Sequence, residues 1–366
     1  MLPILRPTVA EIDLTKLTRN LRNIRTQVGP QPEILAILKA NAYGHGAVKL
    51  GEFIEQNALA QWFGVASVEE GIALREAGLQ TPILVLGSIY PFEAFEYAVK
   101  YRLAVTIASL AAAQAACQTA QRLGGKIVCH VKQDTGMGRI GTRRGAVMKV
   151  LELLHQHPAA VLDGLYSHLS CVGSDSHYTQ EQIGYFRDTL TSLQLKNITL
   201  PRVHIAASAA LVARPDARYT LVRPGHSIYG LEEGYEPILS LKTRVVYVKD
   251  VPAGTSISYN RSFIATQPMK VATLPLGYGD GYPRALSNKA AVLIRGKHCR
   301  ILGNVTMDML MVDVSHVPGV CVGDEVVAVG RQNNEEITLK ELADLAGTID
   351  YEICTQLNAR VPRIYR

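Results

Sequence analysis

The chain has 366 residues, more than a single domain usually contains, and 48 % of them are hydrophobic while 19 % are charged. This is the balance of an ordinary globular protein. The net charge of +6 is dispersed, with no block of five like charges, which argues against a nucleic-acid-binding or membrane-binding basic patch. No apolar stretch approaches the ~18 residues of a membrane span, and the N-terminus lacks the apolar core of a signal peptide.

The cysteine and histidine patterns give no sign of a metal site. No two cysteines form a CxxC pair, so neither a zinc site nor a redox motif is predicted, and free thiols in a reducing cytoplasm are expected. His155 and His157 lie at the end of a predicted helix and are interpreted as surface residues. The six cysteines are Cys117, Cys129, Cys171, Cys299, Cys321 and Cys354.

The first predicted element is a helix over Leu14–Val28, because apolar residues recur there at helical spacing. Thr15 is predicted to cap its start and Gly29 to end it.

Eight short apolar runs follow, with helical periodicity between them. In residues 144–157, for example, Val147, Val150, Leu151 and Leu154 fall on one helix face. Eight strand–helix units in about 225 residues fit a (β/α)8 TIM-type barrel better than an open doubly wound sheet. The predicted strands cover residues 34–40, 62–67, 83–88, 103–109, 126–134, 162–169, 203–208 and 221–225.

The pattern changes near Gly234, beyond which strands follow one another with little helix between them. A late helix over Leu339–Ala346 is predicted to begin after Thr338 and to end near Gly347. The sequence therefore predicts an α/β barrel domain over residues 1–234 and a mostly β domain over 235–366. The strands predicted in the second domain cover residues 241–251, 269–276, 291–295, 309–314 and 325–329.

Lys39 is the most informative residue of the chain. It ends the apolar run of the first predicted barrel strand, and the carboxyl ends of barrel strands are where catalytic groups lie. A partly buried ammonium has a lowered pKa and can form an imine with a carbonyl compound. Most lysines at strand ends are simply solvated, so the assignment depends on the neighbours of Lys39.

The ends of other predicted strands supply such neighbours. Arg139 follows the fifth strand, while His168, Ser208 and Arg223 lie on the sixth, seventh and eighth. The loops after the seventh and eighth strands often bind phosphate in such barrels, and Gly225 lets the backbone N–H groups approach closely. A lysine facing a phosphate site suits pyridoxal phosphate, and it equally suits a Schiff-base aldolase acting on a sugar phosphate. The residues alone leave both open.

Motifs along the whole chain resemble those of the alanine racemase family, which uses pyridoxal 5'-phosphate (PLP) on the type III fold. Each motif alone is weak, whereas together and in this order they are specific. They are RPTVAEID at 6–13, KANAYGHG at 39–46, KQDTGMGR at 132–139, SH at 167–168, RPG at 223–225, SYN at 258–260, GYGDGYPR at 277–284, MD at 307–308, DYE at 350–352 and RVPR at 360–363.

The resemblance implies interconversion of L- and D-alanine by two bases acting on opposite faces of the substrate, which would supply D-alanine for peptidoglycan. Lys39 would hold the cofactor covalently and serve as the base on the D side, and Tyr259 would serve as the other base. A hydrogen-bond chain would run from Tyr259 through His168 to Arg223 and the pyridine nitrogen. Since arginine stays protonated, the pyridine nitrogen that faces it would remain unprotonated.

The resemblance also implies the remaining binding residues. Arg139 would bind the substrate carboxylate, and the lysine matching Lys132 is carbamylated in many members and orients that arginine. Tyr278 and Met307, with Tyr259, would complete the site of the other subunit of a homodimer. No metal, nucleic acid or membrane is implied. The cofactor would be bound by Lys39, Tyr43, Ser208, Arg223, Gly225, His226 and Tyr351.

Three departures from the family pattern bear on substrate range. Ala207 stands where asparagine is common, Asn260 where glycine is usual, and His226 where an apolar residue is frequent. A broad-specificity or serine racemase is therefore an alternative. A basic amino-acid decarboxylase of the same fold would carry Glu-Pro-Gly-Arg where this chain has Arg223-Pro224-Gly225. A non-catalytic PLP carrier would lack the second domain.

Overall fold

The computed structural model describes residues 5–366, and they form two compact units. The barrel unit comprises residues 18–42 and 47–228. The β-rich unit comprises the described residues up to Leu17, together with 43–46 and 229–366. Within residues 5–366, no helix is long and apolar enough to cross a membrane.

The barrel unit contains eight parallel strands, which confirms the predicted (β/α)8 architecture. The first seven strands pair with one another in chain order, and the eighth pairs with the first through Glu33↔Leu221 and Ile34↔Val222. A single bridge, Ala207↔Arg223, joins the seventh strand region to the eighth and nearly closes the barrel. The strands are Glu33–Ile37, Trp62–Val65, Ile83–Ser88, Ala104–Ile107, Ile127–Lys132, Ala160–Tyr166, Arg202–His204 and Leu221–Val222.

Helices connect these strands, and their amphipathic patterns explain their placement. The helix Arg144–Gln156 buries Val147, Val150, Leu151 and Leu154, the face predicted from periodicity. Side-chain caps begin several of the others, as where the Ser109 hydroxyl accepts a hydrogen bond from the backbone N–H of Ala112. The helices are Ala47–Gln56, Val68–Glu76, Phe95–Lys100, Leu110–Arg122, Arg144–Gln156, Ser176–Leu195 and Ser208–Ala213.

The first helix of the chain has the predicted bounds, Leu14–Val28, and ends at Gly29 with φ +79°. Its predicted cap is wrong. Asp13 Oδ1 accepts a hydrogen bond from the backbone N–H of Lys16 at 2.9 Å, so Asp13 is the capping residue. Thr15 lies inside the first turn, where its side chain cannot reach the terminal N–H groups in this way.

The β-rich unit is built on a seven-stranded sheet. The strand Val9–Ile12 pairs antiparallel with Leu239–Arg244 and parallel with Arg363–Tyr365, so the start of the chain joins the sheet of its C-terminal half. The contacts therefore divide the chain differently from the predicted linear boundary after residue 234. The remaining strands of the sheet are Lys297–Arg300, Ala291–Ile294, Glu325–Gln332 and Glu335–Ile337.

Two smaller sheets and two helices complete this unit. The prediction of one strand over 241–251 is wrong, because the chain breaks at Val245 and changes sheets. Arg244 pairs with Glu325 in the large sheet, whereas Tyr247 pairs with Thr273 in a three-stranded sheet. The small-sheet strands are Tyr247–Val251, Met269–Leu274 and Leu310–Asp313, then Ser256–Ile257 with Phe263–Ile264, and the helices are Leu339–Ala346, as predicted, and Asp350–Thr355.

Candidate active site

The sequence predicted that Lys39 ends the first barrel strand, and this is wrong. The first barrel strand stops at Ile37, and Lys39–Tyr43 form a left-handed helical turn in which Ala40, Asn41 and Ala42 have φ values of 52°, 52° and 55°. Each non-glycine residue in this conformation costs roughly 1–2 kcal/mol. The surrounding contacts must therefore hold the turn in place.

Glu70 supplies part of that support. Its two carboxylate oxygens accept hydrogen bonds from the backbone N–H groups of Ala40 and Ala66, at 2.7 and 2.6 Å. It thus ties the start of the left-handed turn to the end of the second barrel strand. Glu70 was not identified from the sequence, although the Ser67-x-x-Glu70 pattern is typical of a capped helix start and would have drawn attention to it.

The environment of Lys39 disfavours its charged form compared with a solvated lysine. Burial lowers the pKa of its ammonium, and the nearby charges of Arg139 and Arg223 lower it further, while Glu70 raises it. A lysine with a lowered pKa is the better nucleophile toward a carbonyl carbon. This environment therefore fits an imine-forming lysine.

Lys39 belongs to a cluster of basic side chains inside the barrel unit. Burial, Arg223 and Arg139 lower the pKa of Lys132 to about 7, against the opposing charge of Asp134. Lys132 is only 4 % exposed. The cluster Lys39, Lys132, Arg139 and Arg223 carries more positive charge than the neighbouring carboxylates offset, so it suits an anionic ligand.

Arg223 and His168 form a hydrogen-bonded pair at the carboxyl end of the barrel strands. Arg223 Nη2 lies 3.3 Å from His168 Nδ1, and it also donates to the carbonyl oxygen of Ser167 at 2.7 Å. Since a guanidinium has no acceptor, Nδ1 of His168 accepts and its proton is on Nε2. Burial and the charge of Arg223 lower the pKa of His168 to about 3, so the imidazole is neutral and can donate from Nε2.

Three predicted strand-end residues lie just beyond their strands. The sixth strand ends at Tyr166, the seventh at His204 and the eighth at Val222, so His168, Ser208 and Arg223 were placed on strands in error. Apolar residues continue into these loops because the barrel interior still buries them. The strands predicted from the apolar pattern are therefore longer than the observed ones.

Ser208 and the backbone after Arg223 form a compact polar cradle. The Ser208 hydroxyl oxygen accepts hydrogen bonds from the backbone N–H groups of Gly225 and Ser227, at 2.9 and 3.3 Å. Because its oxygen accepts from these groups, the Ser208 hydroxyl can donate its own proton to an anion. His226 lies between them, partly buried, in the short 3-10 turn His226–Tyr229.

Tyr259 lies in the β-rich unit with 70 % of its surface exposed. Its backbone is fixed by Asn304, whose side-chain N–H donates to the Tyr259 carbonyl at 3.0 Å, and by Ser258, whose hydroxyl donates to the Asn304 carbonyl at 2.7 Å. The next residue, Asn260, has φ +59°. This conformation favours glycine, and asparagine tolerates it better than most other residues.

Tyr278 and Met307, the other predicted site residues of this unit, are also exposed, at 43 % and 53 %. Their loops are joined by a hydrogen bond from Gly279 N–H to the Met307 carbonyl at 2.8 Å. The fully buried carboxylate of Asp280 ties this region to the side chains of Arg6 and Arg360. The sequence shows Asp280 in its motif but not this role.

Tyr43 and Tyr351 lie together in the β-rich unit, with ring centroids 6.4 Å apart in an edge-on arrangement. Burial raises the pKa of Tyr43 to about 12, and Tyr351 contributes. The Tyr43 hydroxyl therefore keeps its proton at neutral pH and can donate to a phosphate oxygen.

The structure thus brings Lys39, Lys132, Arg139, His168 and Arg223 together within the barrel unit. Tyr43, Tyr259, Tyr278, Met307 and Tyr351 belong to the β-rich unit. Among residues 5–366, no cluster of three or more histidine, cysteine or carboxylate side chains could hold a metal ion.

Comparison with known proteins covers almost the entire chain. The family model "Alanine racemase, N-terminal domain" matches residues 12–233, and "Alanine racemase, C-terminal domain" matches residues 238–365. The chain is 39 % identical to alanine racemase of Halothermothrix orenii over 99 % of its length and 98 % of that protein's. It is 42 % identical to alanine racemase of Symbiobacterium thermophilum, covering 99 % and 97 % of the two chains.

Solved structures show the same similarity. Alanine racemase of Clostridium difficile 630 superposes with a TM-score of 0.94 at 34 % identity, covering 100 % of this chain and 97 % of the other. Alanine racemase from Bacillus anthracis with bound L-Ala-P superposes with a TM-score of 0.93 at 34 % identity, covering 100 % and 96 %. With both domains matched in order and relatives aligned over nearly their full length, the chain belongs to the alanine racemase family.

Proposed function

We propose that this protein interconverts L- and D-alanine, using pyridoxal 5'-phosphate bound at Lys39. The observation that carries the proposal is the Lys39 environment, a half-buried amine with lowered pKa beside Arg139 and Arg223. The family membership supplies the substrate.

The residues of the barrel unit fit this cofactor. The Lys39 amine, with its lowered pKa, could react with the aldehyde of the cofactor. The cradle of Ser208 and Gly225 could bind its phosphate, and the basic cluster would balance its negative charges. We propose that Tyr43, Tyr351 and His226 also bind the cofactor, on the strength of their motif positions. Bound pyridoxal phosphate supplies an electron sink that acidifies the Cα–H bond of an amino acid.

Lys39 and Tyr259 are the proposed bases on the two faces of Cα. Lys39 Nζ removes or returns the proton on the D side, for which its lowered pKa is suited. Tyr259 from the other chain of the proposed homodimer does the same on the L side, where the Nε2–H of His168 would stabilise its phenolate. The orientation of His168, with Nδ1 accepting from Arg223, supports that direction of donation.

Arg223 is proposed to face the pyridine nitrogen of the cofactor. Its pKa is lowered by burial to about 10, so it remains a cation at neutral pH and offers only donors. It therefore favours an unprotonated nitrogen, which limits delocalisation and favours return of the proton to Cα. The acidic residue of a related decarboxylase would have the opposite effect.

Arg139, Tyr278 and Met307 are the proposed substrate-binding residues, with Arg139 binding the carboxylate. We propose that Lys132 is carbamylated and orients Arg139. Its pKa of about 7 supports this, because only the neutral amine reacts with carbon dioxide. Carbamylation would also turn a cation into an anion within a cluster that has an excess of positive charge.

The exposed Tyr259, Tyr278 and Met307 support a homodimer in which each chain completes the other's site. For the cell, we propose a supply of D-alanine for peptidoglycan. The six free cysteines support a cytoplasmic location.

The direct test incubates the purified protein with L-alanine and pyridoxal phosphate and separates the products by chiral chromatography. Equal amounts of the two alanine enantiomers are expected at equilibrium. Absence of D-alanine together with rapid turnover of L-serine would transfer the assignment to a serine racemase. Borohydride reduction followed by peptide mapping should label Lys39, and a label elsewhere would overturn the site.

Proton exchange in D2O separates the two bases. With Tyr259→Phe, Cα exchange should persist for D-alanine, through Lys39, but fall by roughly 10²–10⁴-fold for L-alanine, the usual contribution of a general base. Equal exchange of both enantiomers at wild-type rates would refute the role of Tyr259.

A further inference from the structure

A line of hydrogen-bonded side chains runs through the interior of the barrel unit, starting at Arg223. Arg223 Nη1 lies 2.8 Å from His204 Nδ1, and His204 Nε2 lies 2.9 Å from His130 Nδ1. His130 Nε2 in turn lies 2.9 Å from Asp163 Oδ2. Both imidazoles are fully buried, and Arg223 and Asp163 are only 4 % and 8 % exposed.

The chemistry of the two ends fixes every proton between them. Arg223 can only donate, so His204 Nδ1 accepts. A neutral imidazole has one N–H, which His204 must therefore carry on Nε2 and donate to His130 Nδ1. His130 then carries its proton on Nε2 and donates it to the Asp163 carboxylate, which can only accept.

The charge states agree with this pattern. Burial lowers the pKa of both histidines, and for His204 the charge of Arg223 adds to the effect. Both rings are therefore neutral near pH 7. Although burial opposes it, the hydrogen bond from His130 and the charge of Arg202 hold the pKa of Asp163 below its usual value.

Arg202 fixes the far end of the line. Its Nη1 donates to both oxygens of Asp163, at 2.7 and 2.9 Å, and its Nε donates to Glu33 at 2.7 Å. Arg202 and Glu33 are the first residues of their strands. This ion triad thus lies toward the amino ends of the barrel strands, while Arg223 follows the carboxyl end of its own strand.

We propose that Asp163 is a positioning residue for Arg223, acting through the tautomers of His130 and His204. If both tautomers reversed, His204 Nδ1–H would face an N–H of Arg223, and two buried donors would be left opposed. An ionised Asp163 excludes that state because it has no proton to donate. The proposal rests on the proposed function for the role of Arg223 beside the cofactor, but not for the proton pattern itself.

A purely structural role is the competing explanation, since groups at the amino ends of barrel strands usually serve stability. Glu33→Gln provides a matched control. It removes one carboxylate from the same ion triad and the same partner, Arg202, without touching either imidazole. Asp163→Asn removes the other carboxylate, and its amide can donate or accept, which permits both tautomers.

The first measurement is 15N NMR of the histidine rings in the wild-type full-length protein, with signals identified from His130→Gln and His204→Gln. Both rings should be neutral Nε2–H tautomers without titration between pH 6 and 9. Asp163→Asn should shift His130 and His204 toward Nδ1–H, and Glu33→Gln should not. A cationic or Nδ1–H ring in the wild type would overturn the proposal, even if no variant folds.

The second measurement compares catalysis in the cofactor-loaded variants. Asp163→Asn should lower kcat for L-alanine roughly tenfold, the equivalent of ~1.4 kcal/mol, with little change in KM. It should also raise the ratio of pyruvate released, by transamination, to alanine racemised. Glu33→Gln should leave kcat and this ratio within about twofold.

Equal losses of thermal stability in the two variants, with kcat and the product ratio unchanged, would show a structural role only and refute the proposal. A wild-type protein that does not racemise alanine would instead refute the proposed function, and the NMR tautomers would then decide the proton pattern independently.

Discussion

Lys132 shows how strongly one residue can be changed by its surroundings. The sequence shows only a lysine within the predicted strand 126–134, but in the structure burial and two arginines lower its pKa to about 7. An ammonium in this position adds to an existing excess of positive charge. A carbamate would reduce that excess and provide an acceptor for Arg139.

The first prediction concerns the pH dependence of this modification. With a pKa of about 7, the fraction of Lys132 present as the reactive neutral amine rises with pH. It should increase from about a tenth at pH 6 to about nine tenths at pH 8. In bicarbonate buffer, native mass spectrometry should show a carbon dioxide adduct that increases over this range. Lys132→Ala should abolish it, and an unmodified wild-type mass at pH 8 would contradict the expectation.

The second prediction concerns Glu70, which ties the Lys39 turn to the second barrel strand. In Glu70→Gln, the side-chain amide group replaces one of the two accepting oxygens, so one backbone N–H faces another donor and loses its hydrogen bond. The variant should therefore lose about 1–3 kcal/mol in free energy of unfolding. Denaturant titration measures the loss. Glu69→Gln makes the same charge change in the same helix turn, and an equal loss there would attribute the effect to charge alone.

At the scale of elements, the left-handed turn after the first barrel strand is the feature that a sequence pattern describes least well. Lys39–Tyr43 contains no glycine, yet its last four residues have φ values between 51° and 55°, in the conformation that glycine adopts most easily. Local preference therefore opposes the turn, and tertiary contacts such as those of Glu70 and Asn41 impose it. Such strain commonly occurs at functional sites.

The third prediction tests that strain. Ala40→Gly should stabilise the protein by roughly 0.5–1 kcal/mol, because relief at φ +52° exceeds the added freedom of the unfolded chain. Ala115→Gly, within the right-handed helix Leu110–Arg122, should instead destabilise it by about 0.5–1 kcal/mol. Thermal unfolding of both variants gives the comparison, and destabilisation by Ala40→Gly would show that the turn is not strained.

At the scale of the whole molecule, the proposed bases belong to different compact units. Lys39 is in the barrel unit, and Tyr259 is largely exposed in the β-rich unit. A base with 70 % of its surface exposed needs a further protein surface to exclude water around it. The proposed homodimer provides one.

The fourth prediction is subunit complementation. Lys39→Ala and Tyr259→Phe should each be nearly inactive alone, yet dimers that contain one copy of each variant should recover about half of wild-type activity, because one of their two shared sites is then intact. The recovery is measured after co-expression and purification through two different tags. If each site is built from a single chain, no recovery will be seen.

The predictable part of the fold follows from local patterns. The eight barrel strands and the helices Leu14–Val28 and Leu339–Ala346 were predictable because apolar spacing and stop signals lie within a few residues of one another. The Asp13 cap, the break at Val245 and the pairing of Val9–Ile12 with the C-terminal strands were not. Those depend on which segments meet in space.

The sequence by itself determined the family and the (β/α)8 barrel, and it predicted Lys39, Tyr259 and Arg223 as site residues, because ordered motifs and periodicity are properties of the chain. Only the tertiary structure decided the ionisation and the hydrogen bonds of the buried side chains. The lowered pKa of Lys39, the neutral His168 and the line from Arg223 to Asp163 arise from burial and from distances between residues far apart in sequence. Desolvation and Coulomb interaction depend on position in space, and the order of residues does not specify it.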